Sequence, residues 1–202
     1  MSYIVSYCAE LTKRPSDICE HLPTLARYAA MCTHITECGV RSAISSYALA
    51  SSMIGRPETT LIQVDPYRSA ETDTFRLHCK QENINTIYHE MSDLDCPMDP
   101  TDMLFIDTWH VYGQLKRELA RWNPNVNKYI VLHDTEVDKW MGETIRCGLD
   151  AESQSREFGI PVPEIMRGLW PAVLEFLDQH PEWVVHEHYS NCNGLTVLAR
   201  TR

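Results

Sequence analysis

Short apolar runs alternate with amphipathic segments over most of this chain. Apolar runs of strand length predict β-strands over 34–39, 61–65, 84–90, 103–107 and 128–134. Helical spacing of apolar residues predicts helices over 16–31, with Ser16 or Asp17 as N-cap, and over 41–54, 69–82 and 111–122. This repeated strand–helix order predicts a parallel sheet with helices on both faces, an α/β fold of the Rossmann-like kind.

The pattern changes after residue 134. Residues 138–167 are marked by glycines and prolines and have only a weak helical pattern, which is typical of a functional lid. A helix over 169–179 and strands over 183–189 and 195–200 follow, and Asn193-Gly194 between the strands predicts a hairpin. We therefore predict one domain over 1–202, with an N-terminal helical cap (about 1–31), a lid insertion (about 138–167) and an antiparallel C-terminal hairpin.

Composition excludes several classes of protein. The formal net charge is −10, and no long basic run is present, which argues against nucleic acid as a partner. No apolar run approaches the ~20 residues that a membrane span needs, and no signal peptide is recognisable. The eight cysteines form no CxxC or zinc-finger spacing, so we expect buried thiols in a reducing compartment and a cytoplasmic protein.

Polar residues follow the predicted strands at the points where each strand ends. The first strand ends in Glu37-Cys38-Gly39, the second in Asp65, the fourth in Asp107, and the fifth in His133-Asp134. Ligands of open α/β sheets bind outside the carboxyl ends of the strands. We therefore expect a binding site at this edge, although Asp65 before Pro66 and Asp107 before a helix also suit a turn and a helix cap.

The first turn indicates the kind of cofactor. It has one glycine, Gly39, and a glutamate, Glu37, whereas a dinucleotide site needs several glycines for the backbone to approach a pyrophosphate. A carboxylate here repels a pyrophosphate but suits a cationic cofactor without phosphate, such as S-adenosylmethionine (SAM). Asp65 is placed to accept hydrogen bonds from ribose hydroxyls.

The chain contains four motifs in order, T-E-C-G-V-R, V-D-P-Y, L-F-I-D-T-W-H and V-L-H-D-T, and a final N-C-N-G-L-T-V-L. Together these motifs resemble class I SAM-dependent methyltransferases. The similarity covers about residues 30–200. The branch it resembles contains small-molecule and sugar O-methyltransferases, including the macrolide-sugar methyltransferases and the cephalosporin-hydroxylase-like group. Two departures stand out. Ser42-Ala43 replaces a second glycine of the family's first turn, and His133 replaces one carboxylate of an acidic pair.

The resemblance implies roles for individual residues. It implies O-methyl transfer, with Asp107, His110 and His133 as candidate catalytic residues, and Asp107, His133 and Asp134 as ligands of Mg²⁺ or Mn²⁺. The residues it implies for SAM binding are Glu37, Cys38, Gly39, Arg41, Asp65, Pro66, Tyr67, Ser92, Asp107, Thr108 and Trp109.

The acceptor is less defined than the cofactor. The acidic chain suits a neutral polyol, so the hydroxyl of a sugar or glycan is our first hypothesis and a phenolic or polyketide hydroxyl the second. Two other classes stay open: a nicotinamide oxidoreductase, and a non-catalytic cofactor-binding module of a larger glycan-processing polypeptide. Whether the chain forms a homo-oligomer also stays open.

Overall fold

A seven-stranded sheet forms the centre of the molecule. The computed structural model describes residues 2–201. Its strands are β1 (His34–Cys38), β2 (Thr60–Val64), β3 (Asn85–His89), β4 (Thr101–Ile106), β5 (Val126–His133), β6 (Trp183–Tyr189) and β7 (Leu195–Arg200). The strand order is β3–β2–β1–β4–β5–β7–β6. Strands β1–β5 are parallel and β7 is antiparallel to both of its neighbours. The predicted sheet with its reversed C-terminal hairpin is confirmed.

Helices cover both faces of this sheet. They are α1 (Tyr3–Leu11), α2 (Leu22–Ala29), α3 (Ile44–Ser51), α4 (Ala70–Gln81), α5 (Tyr112–Trp122), α6 (Glu143–Arg146), α7 (Ala151–Phe158), α8 (Val162–Ile165) and α9 (Trp170–Gln179). Helices α1–α4 pack on one face, and α5 and α9 pack on the other. Among the described residues, none of these helices combines the length and the apolar character needed to span a membrane.

Strand β4 shows why the sheet needs helices on both sides. Its residues are all buried, and Met103 and Phe105 join the core under α1–α4, whereas Leu104 and Ile106 join the core under α5 and α9. Successive side chains of a strand point to opposite faces, so a nearly continuous apolar run is buried on both sides. Two apolar cores thus fix the position of the carboxyl end of β4.

The first loop differs from the predicted helix 41–54, because α3 begins only at Ile44. Gly39 has φ +84°, and a Cβ there would lie 2.0 Å from the Asp107 carbonyl oxygen, so only glycine fits this approach to β4. Arg41 and Ala43 also have positive φ, +45° and +60°. Their left-handed backbone delays the start of the helix.

The predicted helix over 16–31 is wrong at its beginning. Residues Cys19–His21 form a 3₁₀ turn, and α2 starts at Leu22 with Pro23 in its first turn, where a proline's missing N–H is tolerated. Helix α1, which the apolar pattern did not single out, precedes this segment; the Ser2 side chain accepts a hydrogen bond from the Val5 N–H at its start.

Candidate active site

A cavity of about 680 Å³ lies at the carboxyl ends of β1, β2 and β4. Nine of the eleven residues predicted to bind the cofactor line it: Gly39, Arg41, Asp65, Pro66, Tyr67, Ser92, Asp107, Thr108 and Trp109. The sheet therefore brings residues that are far apart in the chain to one concave surface. A smaller cavity of about 200 Å³ adjoins it and shares Gly39, Arg41, Asp107 and Thr108.

Glu37 and Cys38 are the two that do not line the cavity. The Glu37 carboxylate is fully buried and accepts hydrogen bonds from the hydroxyls of Ser45 at 2.5 Å and Ser46 at 2.6 Å, and from the Gln63 amide at 3.1 Å. Burial raises the pKa of Glu37 to about 7, although these hydrogen bonds oppose the shift. Glu37 thus joins β1 to α3 beneath the cavity, and Cys38 is buried on the opposite face.

Asp65 holds the first loop in place from below. One carboxylate oxygen accepts the N–H groups of Val40 at 2.8 Å and Arg41 at 3.0 Å, and the other accepts the Tyr67 N–H at 2.8 Å. A carboxylate has about four lone-pair sites, so acceptor capacity remains on the cavity side. Asp65, which we predict to bind the ribose, therefore also shapes the loop.

The lid region supplies wall residues that the sequence analysis did not name. Gln154 and Phe158, both on α7, line the large cavity. The Trp109 ring lies 5.1 Å from the Phe158 ring, and its Nε1–H donates to the Thr144 hydroxyl, which in turn donates to Gln154. The remaining unpredicted wall residues are Val64, Arg68, Ser69, Asp93 and Gln114. Only the lid prediction pointed toward α7.

Asp107, His110, His133 and Asp134 meet at one edge of this cavity. His110 Nε2 lies 3.2 Å from Asp107 Oδ1 and 3.1 Å from Asp134 Oδ2. His133 Nδ1 lies 3.2 Å and 3.0 Å from the same two oxygens. The ends of the neighbouring strands β4 and β5 thus place two carboxylates between two imidazole rings.

The surroundings of His133 fix its orientation. Its Nε2 lies 3.0 Å from the Asp17 carbonyl oxygen and 3.3 Å from the Cys192 carbonyl oxygen, so Nε2 must carry the proton that it donates to them. Burial alone would lower the pKa of His133, but hydrogen bonds to Asp107 and Asp134 raise it to about 10. In a neutral ring, Nδ1 would be left with a lone pair directed at the two carboxylates.

This donor set suits a divalent cation. Ligand atoms of Asp107, His110 and Asp134 all lie within 4.8 Å of one another, and His133 Nδ1 faces the same oxygens. Two carboxylates with an imidazole nitrogen suit Mn²⁺ better than Mg²⁺, because Mg²⁺ prefers oxygen ligands. The second nitrogen of His133 is held by backbone carbonyls, which is the usual support for a metal-binding histidine.

The lid approaches His110 from its other side. His110 Nδ1 lies 3.4 Å from Asp138 Oδ2 and 3.5 Å from Glu143 Oε2. Asp138 is fully buried and accepts two hydrogen bonds from Arg146, at 2.5 Å and 2.9 Å. Burial opposes protonation of His110, but the carboxylates of Asp107, Asp138 and Asp134 raise its pKa well above the usual value. No signal in the sequence marked Asp138 or Arg146.

The cluster also contains a residue with an uncommon backbone conformation and a carboxylate with a lowered pKa. Asp134 has φ +56°, an uncommon conformation for a residue other than glycine that is often found at functional sites. The pKa of Asp107 is lowered despite burial, because His110 and His133 donate hydrogen bonds to its carboxylate. The Asp107 carboxylate therefore stays charged at neutral pH and attracts a cation or a proton donor.

Solved structures with this architecture come from several organisms. A protein from Corynebacterium glutamicum matches with TM-score 0.67 and 15% identity, over 100% of this chain and 91% of that chain. TomG, a Streptomyces achromogenes O-methyltransferase involved in tomaymycin synthesis and solved with SAM, matches with TM-score 0.61 and 13% identity, over 100% and 91% of the two chains. An O-methyltransferase from Bacillus cereus in complex with SAH matches with TM-score 0.57 and 10% identity, over 100% and 92%.

The similarity lies in the fold and not in the sequence. No protein-family model matches the chain, and no curated protein is similar to it in sequence. These three structures nevertheless match over 100% of this chain, its final hairpin included, and over 91%, 91% and 92% of their own chains. This chain therefore has the class I methyltransferase fold, a Rossmann-like sheet that ends in an antiparallel pair of strands.

Proposed function

We propose that this protein is a SAM-dependent O-methyltransferase that acts on a hydroxyl of a sugar or glycan with the help of a divalent metal ion. The observation that carries the proposal is that one residue, Asp107, belongs both to the large cavity and to the carboxylate–imidazole cluster. Asp107 and Thr108 line the large cavity, and Asp107 also belongs to the carboxylate–imidazole cluster. A cofactor in the cavity and a hydroxyl at the cluster would therefore lie side by side, as methyl transfer requires.

The cavity suits SAM better than a nicotinamide dinucleotide. Its first loop has one glycine, and Arg41 and Ala43 occupy positions where a glycine-rich loop would approach a pyrophosphate. Asp65 offers acceptor oxygens to a ribose, and Trp109 and Phe158 offer aromatic surface to a base. TomG and the Bacillus cereus enzyme, solved with SAM and SAH, share the fold.

Asp107, Asp134 and His133 would hold the metal ion. Such an ion supplies a lowered pKa to a bound hydroxyl and fixes the direction of its oxygen. His110 lies next to the same carboxylates and is our candidate for the group that receives the hydroxyl proton. It must be neutral to do so, and the positive charge of a bound metal ion would lower its pKa by disfavouring the imidazolium. Asp138 and Glu143 face its Nδ1 and stabilise the imidazolium that results.

The charges around the cluster favour a neutral acceptor. Asp107 and Asp134 lie between the two histidines, and Asp138 and Glu143 face His110. The chain carries a formal net charge of −10. An anionic acceptor would be repelled, whereas a sugar hydroxyl would not. A phenolic acceptor is the second candidate, favoured by the half-exposed Phe158 beside Trp109.

Titration calorimetry with SAM tests the cofactor assignment. Asp65→Ala removes charge-assisted hydrogen bonds to the ribose, so we expect binding to weaken by roughly 1.5–3 kcal/mol. Asp178→Ala is the matched control, because Asp178 is an exposed acid of α9 that does not line the cavity. Equal affinity of the wild type and Asp65→Ala for SAM, or tight binding of NADH instead, would contradict the assignment.

Formation of S-adenosylhomocysteine, followed by mass spectrometry with methyl glucoside or catechol as acceptor, tests the chemistry. Chelation should reduce turnover, and added Mn²⁺ or Mg²⁺ should restore it. Asp107→Asn should reduce turnover at least 100-fold, about 2.7 kcal/mol, with SAM affinity nearly unchanged.

Activity that survives chelation but falls in His110→Ala would exclude the metal and leave a simple base. Full turnover in Asp107→Asn would exclude both, and SAM binding without turnover would favour a non-catalytic module.

A further inference from the structure

Two thiols from opposite ends of the chain meet behind the carboxylate–imidazole cluster. Cys19 lies in the 3₁₀ turn before α2, and Cys192 lies in the turn between β6 and β7. Their sulfur atoms approach the same carbonyl oxygen, that of Ser16, at 3.5 Å and 3.3 Å. Because both sulfur atoms lie against one oxygen atom, the two thiols are neighbours at this junction.

Hydrogen bonds hold these two segments together independently of the thiols. His21 Nε2 lies 3.0 Å from the Asn191 carbonyl oxygen and 3.2 Å from that of Cys192, and the Asn191 side-chain amide donates to Glu20. The backbone around Cys19 and Cys192 is therefore positioned by other groups. A disulfide needs such prior alignment, because its geometry tolerates little backbone movement.

We propose that Cys19 and Cys192 form an oxidisable pair, converted to an intramolecular disulfide by a small disulfide oxidant of the glutathione class. The Cys192 thiolate attacks the oxidant, forms a mixed disulfide and releases one thiolate. The Cys19 thiolate then attacks the Cys192 sulfur, forms the Cys19–Cys192 bond and releases the second. Two protein thiols lose two protons and two electrons, and the oxidant is reduced to two thiols.

Accessibility sets this order of events. Cys192 is partly exposed and Cys19 is buried, so an oxidant from solvent reaches Cys192 first and Cys19 resolves the intermediate. Among the eight free cysteines, all within the described residues, Cys147 is the one classed as exposed, and it lies on the lid. Cys147 should accept a mixed disulfide but has no partner thiol in contact to resolve it.

The position of the pair links it to the candidate active site. The Asp17 and Cys192 carbonyl oxygens, which hold His133 Nε2, belong to the two segments that the disulfide would join. Oxidation would therefore tie the N-terminal cap to the hairpin directly behind a cluster residue. The pair itself does not depend on the proposed methyl transfer.

The test is incubation of the full chain with oxidised glutathione, at mildly alkaline pH because the thiolate is the attacking species. Mass spectrometry of non-reduced peptides reads the product. The wild type should lose two hydrogens and give a peptide pair joined through Cys19 and Cys192, which a reductant separates. Cys19→Ser should instead retain one glutathione on Cys192, because the resolving thiol is absent, and Cys147→Ser should still form the internal bond.

Three outcomes would overturn the proposal. They are a stable mixed disulfide on Cys192 in the wild type, a link between any other cysteines, and modification confined to Cys147. The wild-type product alone decides between these, so the result does not depend on whether Cys19→Ser folds. A negative result here would leave the cofactor and chelation experiments unaffected.

Discussion

Glu37 lies at the carboxyl end of β1, but its buried side chain does not line the cavity. The sequence places it at the end of the first strand, where a carboxylate can meet a ligand. In the folded chain its side chain points under α3 and is enclosed by Ser45, Ser46 and Gln63. Successive side chains of β1 point to opposite faces of the sheet. Glu37 therefore points to the face that α3 covers, whereas Cys38 points to the face that α5 and α9 cover.

This burial predicts a dependence of stability on pH. The pKa of Glu37 is raised to about 7 by desolvation, against a usual value of 4.5. Its effect on stability is most favourable below the usual pKa and declines as pH rises through about 7, because the buried group must then ionise. Glu37→Gln, whose amide can still bond the two serines, should leave the free energy of unfolding nearly unchanged at pH 5 and raise it by roughly 1–3 kcal/mol at pH 8.

Urea unfolding of both proteins across this pH range measures the difference. The groups that face Glu37 are the neutral Ser45, Ser46 and Gln63, with Asp107 acting at longer range. Asp107 stays ionised throughout this pH range, so it does not add to the pH dependence of the difference in free energy of unfolding. A difference that is constant from pH 5 to pH 8 would show that Glu37 is not the titrating group.

At the scale of elements, the loop between β1 and α3 carries an unusual backbone. Ala43 has φ +60° immediately before the helix, in a region that disfavours side chains by roughly 1–2 kcal/mol. The same loop is held by Asp65 through the N–H groups of Val40 and Arg41. The loop thus keeps a shape usually given to glycine, because hydrogen bonds and the packing of α3 enforce it.

Replacing this alanine tests the strain. Ala43→Gly and Ala48→Gly each remove a fully buried methyl group, but Ala48 lies within α3, where glycine costs about 1 kcal/mol. We expect Ala43→Gly to be more stable than Ala48→Gly by roughly 1–2 kcal/mol in thermal or urea unfolding. Equal losses in the two variants would mean that the loop relaxes without cost.

At the scale of the whole molecule, the cavity is closed by a segment with little core of its own. None of the residues of α7, all of which the structure describes, is buried. Helix α7 nevertheless contributes Gln154 and Phe158 to the cavity wall. A segment with few buried contacts opens at low free energy, so ligand binding should change its exchange behaviour more than that of the sheet.

Hydrogen exchange with and without SAM measures how readily α7 opens. Amides of 151–158 should exchange rapidly in the free protein and more slowly with SAM, whereas those of β4 and β5 should stay protected in both. Phe158→Ala should reduce the effect of SAM, and Leu149→Ala is the matched control. Leu149 is as exposed as Phe158, at 52% against 53%, but does not line the cavity. Strong protection of α7 without ligand would contradict a lid role.

The sequence by itself determined the sheet and the edge at which chemistry is concentrated. Short runs of strand-like residues predicted all seven strands, and the nearly continuous apolar run of β4 also predicted its burial on both faces. The first turn and the ends of the second and fourth strands indicated most of the cavity wall, and the ends of the fourth and fifth strands indicated the carboxylate–imidazole cluster. These signals are local, since each depends on a few consecutive residues.

Only the tertiary structure decided which side chains reach the site. It buried Glu37, directed two carbonyls from distant segments onto His133, and brought Asp138 and Arg146 behind His110. It also brought the thiols of Cys19 and Cys192 to the same carbonyl oxygen, that of Ser16. These contacts join residues far apart in the chain, and no spacing or periodicity encodes them. They follow from how the cap, the lid and the hairpin pack around the ends of β4 and β5.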